Sequence, residues 1–321
     1  MNHFSVERPL RIGTRSSPMA LAQTEQVAAL LRKHEPELPI ETVPVTTEAD
    51  KWHGDLALLG GKGLFVKQID HMLQRGDVDM AIHCVKDVPG DQPLPEGLVF
   101  AAYLPRDDAR DVLLFPEGSP HRSLDDLPRG ASLGTSAVRR RAQLARVRPD
   151  LDVVRVRGTV GTRIDKLDGT RETDVRVDAM VLAVAGLERL GLAHRGRQVF
   201  PVHEMLPAVG AGVLGLECRH DAPVAALLAR LGDEGTRTEV TAERAMLGGL
   251  RGHCNSPIAG HCVTEPDGRL TLRGRVFSPD GTRFVEAESR SDPNAPTTLG
   301  THISNELLRR GAAEIIEAIP H

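Results

Sequence analysis

Aromatic residues make up only 3% of this 321-residue chain, with one tryptophan and one tyrosine. So few rings argue against the base-stacking platforms that hold single-stranded nucleic acid. Positive charge is not in excess either: 40 Lys and Arg stand against 44 Asp and Glu, for a net charge of -4. No nucleic-acid partner is expected, and the arginines matter by position rather than by sum. No apolar run approaches the roughly 18 residues of a membrane span, so no membrane association is expected. Met1 to Arg8 has no apolar h-region, and a signal peptide is not expected. Four cysteines (Cys84, Cys218, Cys254, Cys262) are too few for a disulfide scaffold in a chain of this length. A reducing cytoplasm is the expected location. His253-Cys254 and His261-Cys262 fit no common zinc spacing, and no metal is expected. His261 and Cys262 read as local packing residues.

Charged residues at 26% and apolar residues at 40% describe an ordinary globular protein, long enough for two or three domains. Leu10 to Gly13 reads as a buried strand running into Thr14-Arg15-Ser16-Ser17-Pro18. A helix follows, with Val27, Leu30, Leu31 and His34 at helical spacing. Ser17 fits the N-cap and Pro18 the first helical position. A strand that meets a helix through a small polar turn aims free backbone N–H groups at an anion.

Ile40 to Thr47 alternates like a second strand. Gly60-Gly61-Lys62-Gly63 is expected to be a mobile loop ahead of a helix over Leu64 to Arg75, whose apolar face begins at Phe65. It is not a phosphate-binding P-loop, because the spacing is wrong and no Ser or Thr follows the lysine. Met80 to Val85 is an apolar strand ending in Lys86-Asp87-Val88-Pro89. It projects a cation and a carboxylate from the strand end where open α/β sheets bind ligands. Leu98 to Leu104 is a further strand.

A second unit begins near Arg106 and repeats the device. Ala131 to Gly134 opens into Thr135-Ser136-Ala137-Val138-Arg139-Arg140-Arg141, then a helix to Val147. Cations in the first turn of a helix oppose its macrodipole, which makes sense with an anion beside them. Val153 to Val156 leads into Arg157-Gly158-Thr159-Val160-Gly161-Thr162-Arg163 and a helix. Ala179 to Val184 leads to Glu188-Arg189. These repeated turns converge on a polyanionic ligand without identifying it.

Leu206 to Leu216 is apolar and glycine-rich, and is expected to be a crossover back to the first unit. Helices are expected over Ala222 to Leu231 and Glu239 to Leu250. Strands follow at 258–264, 269–277 and 283–290, then a helix at 299–318. Pro266-Asp267-Gly268 and Pro279-Asp280-Gly281 are hairpin signals. Cys254 sits in the loop Arg251-Gly252-His253-Cys254-Asn255-Ser256-Pro257 at the entry to this small α+β part. A lone loop cysteine is weak by itself, since most cysteines behave as small hydrophobes.

Taken together, these motifs resemble porphobilinogen deaminase (hydroxymethylbilane synthase). The matching stretches are Arg11 to Pro18, Gly60 to Phe65, His83 to Pro89, Gly134 to Arg140, Arg157 to Arg163, Leu182 to Arg189, Leu206 to Gly210, Thr241 to Ala245 and the Cys254 loop. They fall in the family's order over almost the whole chain. The resemblance implies an α/β fold with two periplasmic-binding-protein-like lobes and a small α+β C-terminal domain. The expected division is 1–105 plus about 207–231, then 106–206, then 232–321, with the active cleft between the two lobes. It implies a monomeric transferase that joins four porphobilinogens, with loss of ammonia, into 1-hydroxymethylbilane. The reaction is primed by a dipyrromethane cofactor linked through a thioether to Cys254.

On that pattern Asp87 is the catalytic carboxylate, and Lys86, Ser17, Thr135, Ser136, Arg139, Arg140 and Arg157 contact the cofactor. Arg15, Arg163 and Arg189 bind substrate, and Gly60, Gly61, Lys62, Gly63 and Phe65 belong to the flexible loop. The chemistry agrees. Loss of ammonia leaves an electron-poor, azafulvene-like cation that a carboxylate stabilises, and arginine forks suit the acetates and propionates. The sequence departs from the family pattern at Cys84-Val85 (usually Ser-Met), Ala137 (commonly Ser), Thr159 (frequently Asn), Ala211 (frequently Gln) and His253 (usually Gly). A divergent, non-catalytic binder of a polycarboxylate is the alternative on sequence alone.

Overall fold

Periodicity and turn chemistry divide the chain into short strands and capped helices. The computed structural model describes residues 4–45, 66–90, 92–171, 175–251 and 256–318. In chain order the elements begin with β1 (Leu10–Arg15), α1 (Pro18–His34), β2 (Ile40–Val45), α2 (Lys67–Arg75), β3 (Met80–Cys84) and β4 (Leu98–Tyr103). Next come β5 (Asp111–Leu114), β6 (Ser132–Gly134), α3 (Val138–Val147), β7 (Asp152–Val154), α4 (Val160–Asp168), β8 (Ala179–Ala183), α5 (Val184–Arg189) and β9 (Gln198–Val199). The last group is β10 (Leu214–Arg219), α6 (Val224–Ala229), α7 (Glu234–Gly249), β11 (Ile258–Thr264), β12 (Leu270–Phe277), β13 (Phe284–Ser291), α8 (Pro296–Arg309) and α9 (Ala312–Glu317).

Two compact units result, one of Met1–Arg106 with Val213–Thr238, the other of Asp107–Gly212 with Glu239–His321. The first unit holds a sheet of order β2-β1-β3-β10-β4. β1 runs parallel to β2 and β3, and β10 is antiparallel to β3 and β4. Leu10, Ile12, Met80, Leu214 and Leu216 pack with Val27 and Leu31 of α1 on one face. Ile69 and Leu73 of α2 pack with Val78 and Ala81 on the other. Each fully buried Leu, Ile, Val or Met among these stabilises by about 1.5–3 kcal/mol.

The second unit repeats this order as β7-β6-β8-β5-β9, with β6 parallel to β7 and β8, and β5 antiparallel to β8 and β9. Its remaining sheet is the antiparallel meander β11-β12-β13. Met246 of α7 and Ile303 and Leu307 of α8 cover that meander's buried face at Leu270, Leu272 and Val276.

Three expectations change. The apolar run 206–216 is a loop only as far as Val213; from Leu214 it becomes β10, which sits between β3 and β4. Its partners lie more than a hundred residues away in sequence, so no local signal marks it. The helix expected at 299–318 is divided, because Gly311 adopts the left-handed region at φ 98° between α8 and α9. α7 begins earlier than expected, at Glu234, where the Asp233 carboxylate accepts from the Thr236 backbone N–H at 2.7 Å.

Candidate active site

β1 and β3 are parallel neighbours, in register at Ile12–Met80 and Gly13–Ala81, so both deliver their carboxyl-terminal residues to one edge of the first unit's sheet. β1 ends at Arg15, and the Ser16 N–H donates to Val45 O at 3.1 Å, holding the turn beside β2. Ser17 caps α1: its Oγ accepts from the Ala20 N–H at 3.3 Å, and Pro18 occupies the first turn, as the sequence predicts. β3 runs into a 3-10 turn at Val85–Asp87, where the Val88 N–H donates to Val85 O at 3.1 Å. Buried Val85 anchors this turn and leaves Lys86 and Asp87 half-buried.

Arg15, Ser17, Gln23, His83, Cys84 and Asp87 line one cavity. The Cys84 Sγ accepts from Gln23 Nε2 at 3.0 Å. The cavity therefore brings a carboxylate, an acceptor for N–H donors, together with a guanidinium, a donor to anionic groups.

In the second unit β6, β7 and β8 are parallel and end at one edge. β6 passes into Thr135 and Ser136. Thr135 Oγ1 accepts from the Ala137 N–H at 3.3 Å, and Ser136 Oγ donates to Val156 O. Ala137 is the N-cap of α3 and makes no side-chain cap bond. After β7, Thr159 caps α4 by accepting from the Thr162 N–H at 3.2 Å, and half-buried Arg157 precedes it.

The arginines divide by what already holds them. Arg139 and Arg140 are buried, and each donates to one oxygen of the buried Asp111 carboxylate at 2.7 Å. Arg139 also donates to Leu206 O at 2.6 Å, and Arg140 to Val181 O at 3.1 Å. Within the chain, the anion beside the start of α3 is Asp111, brought in by β5. Burial pushes the Asp111 carboxyl up, but the two guanidinium groups prevail and hold it at about 2. Arg189 likewise donates to Asp107 Oδ2 through Nε and Nη2, at 3.0 and 2.7 Å.

Arg163 differs. Its Nε reaches Thr159 O at 3.4 Å, and among the described residues no carboxylate pairs with it. Burial, and then the charge of Arg140, push its guanidinium down to about 10.

Sequence reasoning missed Asp107 and Asp111 as partners, and also a buried trio of Asp70, His83 and Glu217 in the first unit. An acid directly before an apolar strand, as in Asp111-Val112-Leu113-Leu114, was the available signal for the second of these. Gly60 to Phe65 and Cys254 lie outside the described residues. Cys262 is fully buried in the core under α7, and its N–H donates to Glu243 at 2.8 Å, in keeping with a packing role.

The family model described as "Porphobilinogen deaminase, dipyromethane cofactor binding domain" matches residues 10–226, and that of the porphobilinogen deaminase C-terminal domain matches residues 237–309. The chain is 48% identical over 319 residues to porphobilinogen deaminase 2 of Streptomyces coelicolor, covering 99% of each. It is 45% identical over 312 residues to porphobilinogen deaminase of Syntrophotalea carbinolica, covering 97% of this chain and 96% of that one. Among solved structures, a methionine-bound nutrient-binding protein from Burkholderia cenocepacia aligns over 68% of this chain and 89% of its own, at 15% identity and a TM-score of 0.41. Full-length identity at this level, together with both domain matches, makes this chain a member of the porphobilinogen deaminase family.

Proposed function

We propose that Asp87 is the carboxylate at which this porphobilinogen deaminase performs its chemistry, and that Cys254 carries its dipyrromethane cofactor. The chain is a transferase that makes 1-hydroxymethylbilane from porphobilinogen. When bound, the cofactor supplies the nucleophilic pyrrole to which substrate units are joined.

The residues present suit such a group. Pyrroles bearing acetates and propionates need cations, and the half-buried Arg163, which pairs with no carboxylate among the described residues, meets that need. Arg15 meets a carboxylate in the cavity of Asp87. Asp87 accepts pyrrole N–H groups, offsets the positive charge left when ammonia departs, and receives the proton that the ring carbon gives up. Ser17 and the α1 N-terminus supply further donors for a substrate carboxylate. Arg139, Arg140 and Arg189 act on the ligand through whichever N–H groups Asp111 and Asp107 leave them.

The observation that carries this reading is the placement of Asp87 at the end of β3 in one cavity with Arg15 and Ser17. The finer reading adds a monomer working in a reducing cytoplasm, in three domains: 1–105 with about 207–231, 106–206, and 232–321. Three separate sheets support the last point, and three free cysteines among the described residues support the compartment. No described helix is long and apolar enough to cross a membrane.

The test is intact mass with turnover. The purified protein should carry an excess of two pyrrole units, which Cys254→Ala abolishes. Asp87→Asn should keep the cofactor and lose on the order of 10²–10⁴ in kcat. A wild-type chain that stays unmodified after incubation with porphobilinogen would overturn the reading.

A further inference from the structure

One face of the first sheet carries a buried group of charged side chains to which the function proposed above gives no part. Asp70 on α2, His83 on β3 and Glu217 on β10 are 6%, 6% and 1% exposed. Their ligand-type atoms all lie within 4.8 Å of one another. His83 Nε2 is 2.8 Å from Glu217 Oε2. Asp70 Oδ1, His83 Nε2 and Glu217 Oε1 are nevertheless buried without a well-angled hydrogen bond. Two bare carboxylates this close in a dry interior repel, and each costs several kcal/mol to desolvate unless something neutralises the set. Either a proton or a cation must join it.

Geometry favours the proton. The His83–Glu217 contact is already at hydrogen-bond distance, and burial, then Glu217, push Asp70 up to about 7. The groups facing Asp70 are Glu217 from β10 and His83 from β3, and the latter lowers it. β4 contributes the Phe100 ring, edge-on to His83 at 6.1 Å, and the apolar Leu98. From the same face, Arg11 of β1 and Arg219 of β10 turn toward Asp79, at 3.0 and 3.9 Å. Arg15 of β1 lines the cavity instead.

We propose that Asp70, Glu217 and His83 form a buried hydrogen-bonded relay, one proton shared between its carboxylates, that positions His83 in the wall of the Asp87 cavity. Asp70 donates to Glu217, Glu217 accepts from His83 Nε2–H, and the imidazole is thereby fixed in one tautomer and one orientation. His83 lines the cavity with Asp87 and stands four residues before it in the chain, so the relay steadies the strand end that presents the carboxylate. Asp70 and Glu217 act through His83 as positioning residues. The inference rests on the role of Asp87 proposed above.

The test begins with the wild-type holoprotein and infrared spectroscopy. At pH 6 ordinary carboxylates are ionised, so a carboxylic-acid carbonyl band that titrates near 7 reports the shared proton. Asp70→Asn should remove the band. Asp87→Asn should keep it while turnover falls as stated above, which separates this inference from the catalytic reading. In turnover, Glu217→Gln should lower kcat about tenfold with KM within roughly twofold, as for an interaction made in the transition state. The wild-type change in kcat across pH 6 to 8 should flatten in Asp70→Asn and return in Asp70→Glu. Absence of the carbonyl band from the wild-type protein overturns the proposal even if the variants fail to fold. So does stoichiometric binding of Zn²⁺ or Mn²⁺ that Asp70→Asn abolishes, since a cation would then do the work of the proton.

Discussion

Asp111 holds Arg139 at 2.7 Å with both side chains buried, 2% and 8% exposed. Arg140 takes the other carboxylate oxygen at the same distance. Burial lowers the Arg139 guanidinium despite Asp111, yet it stays charged at neutral pH. Removing the carboxylate strands two cations in a dry site. Asp111→Asn should cost about 3–5 kcal/mol at pH 7, measured by denaturant unfolding. Because Asp111 is held at about 2, below its unfolded value of roughly 3.9, its contribution is present above pH 4 and lost as pH falls from 4 toward 2. The wild-type stability should fall through that window more steeply than that of Asp111→Asn. Parallel curves would mean that the triad carries no net stabilisation.

Arg163 should behave in the opposite way. It has no ion pair to break among the described residues, and burial disfavours its charge. Arg163→Gln should leave the melting temperature unchanged or higher. Charge-assisted hydrogen bonds are worth about 1.5–3 kcal/mol, so kcat/KM for porphobilinogen should fall roughly 10- to 100-fold. A fall in stability with unchanged kinetics would assign Arg163 to structure.

Gly300 separates packing from propensity. Alanine is the better helix former by about 1 kcal/mol, so Gly300→Ala within α8 would stabilise an isolated helix. Here an added Cβ would meet Ala242 O at 2.2 Å and Ala245 Cβ at 2.6 Å on α7. Two backbones this close have no flexible tip to yield. The variant should lose stability by about 1–3 kcal/mol by thermal or denaturant unfolding, and a stabilised variant would show that α7 and α8 separate easily.

Local elements were legible where neighbours in sequence are neighbours in space. Ser17 and Pro18 announce the start of α1, because a cap contacts backbone only two or three residues on; α4, read as starting after Arg163, instead starts at Val160 behind the Thr159 cap. Apolar runs gave β1, β3 and β8 for the same reason. β10 was not legible: Leu214-Gly215-Leu216-Glu217-Cys218-Arg219 becomes a central strand only because β3 and β4 flank it. Gly311 was read through, since nothing in sequence shows that its φ is positive.

The order of motifs determined by itself which family this chain belongs to and which residues stand at strand ends, because those features follow from residue identity and spacing. What each charged group does was decided only by the tertiary structure. Arg139, Arg140, Arg163 and Arg189 look alike in sequence, each in a turn or first turn beyond a strand. Asp111 claims the first two and Asp107 the last, while Arg163 is left facing no described carboxylate. Charge pairing depends on distance and burial, and distant strands set both only when they are brought together in a sheet.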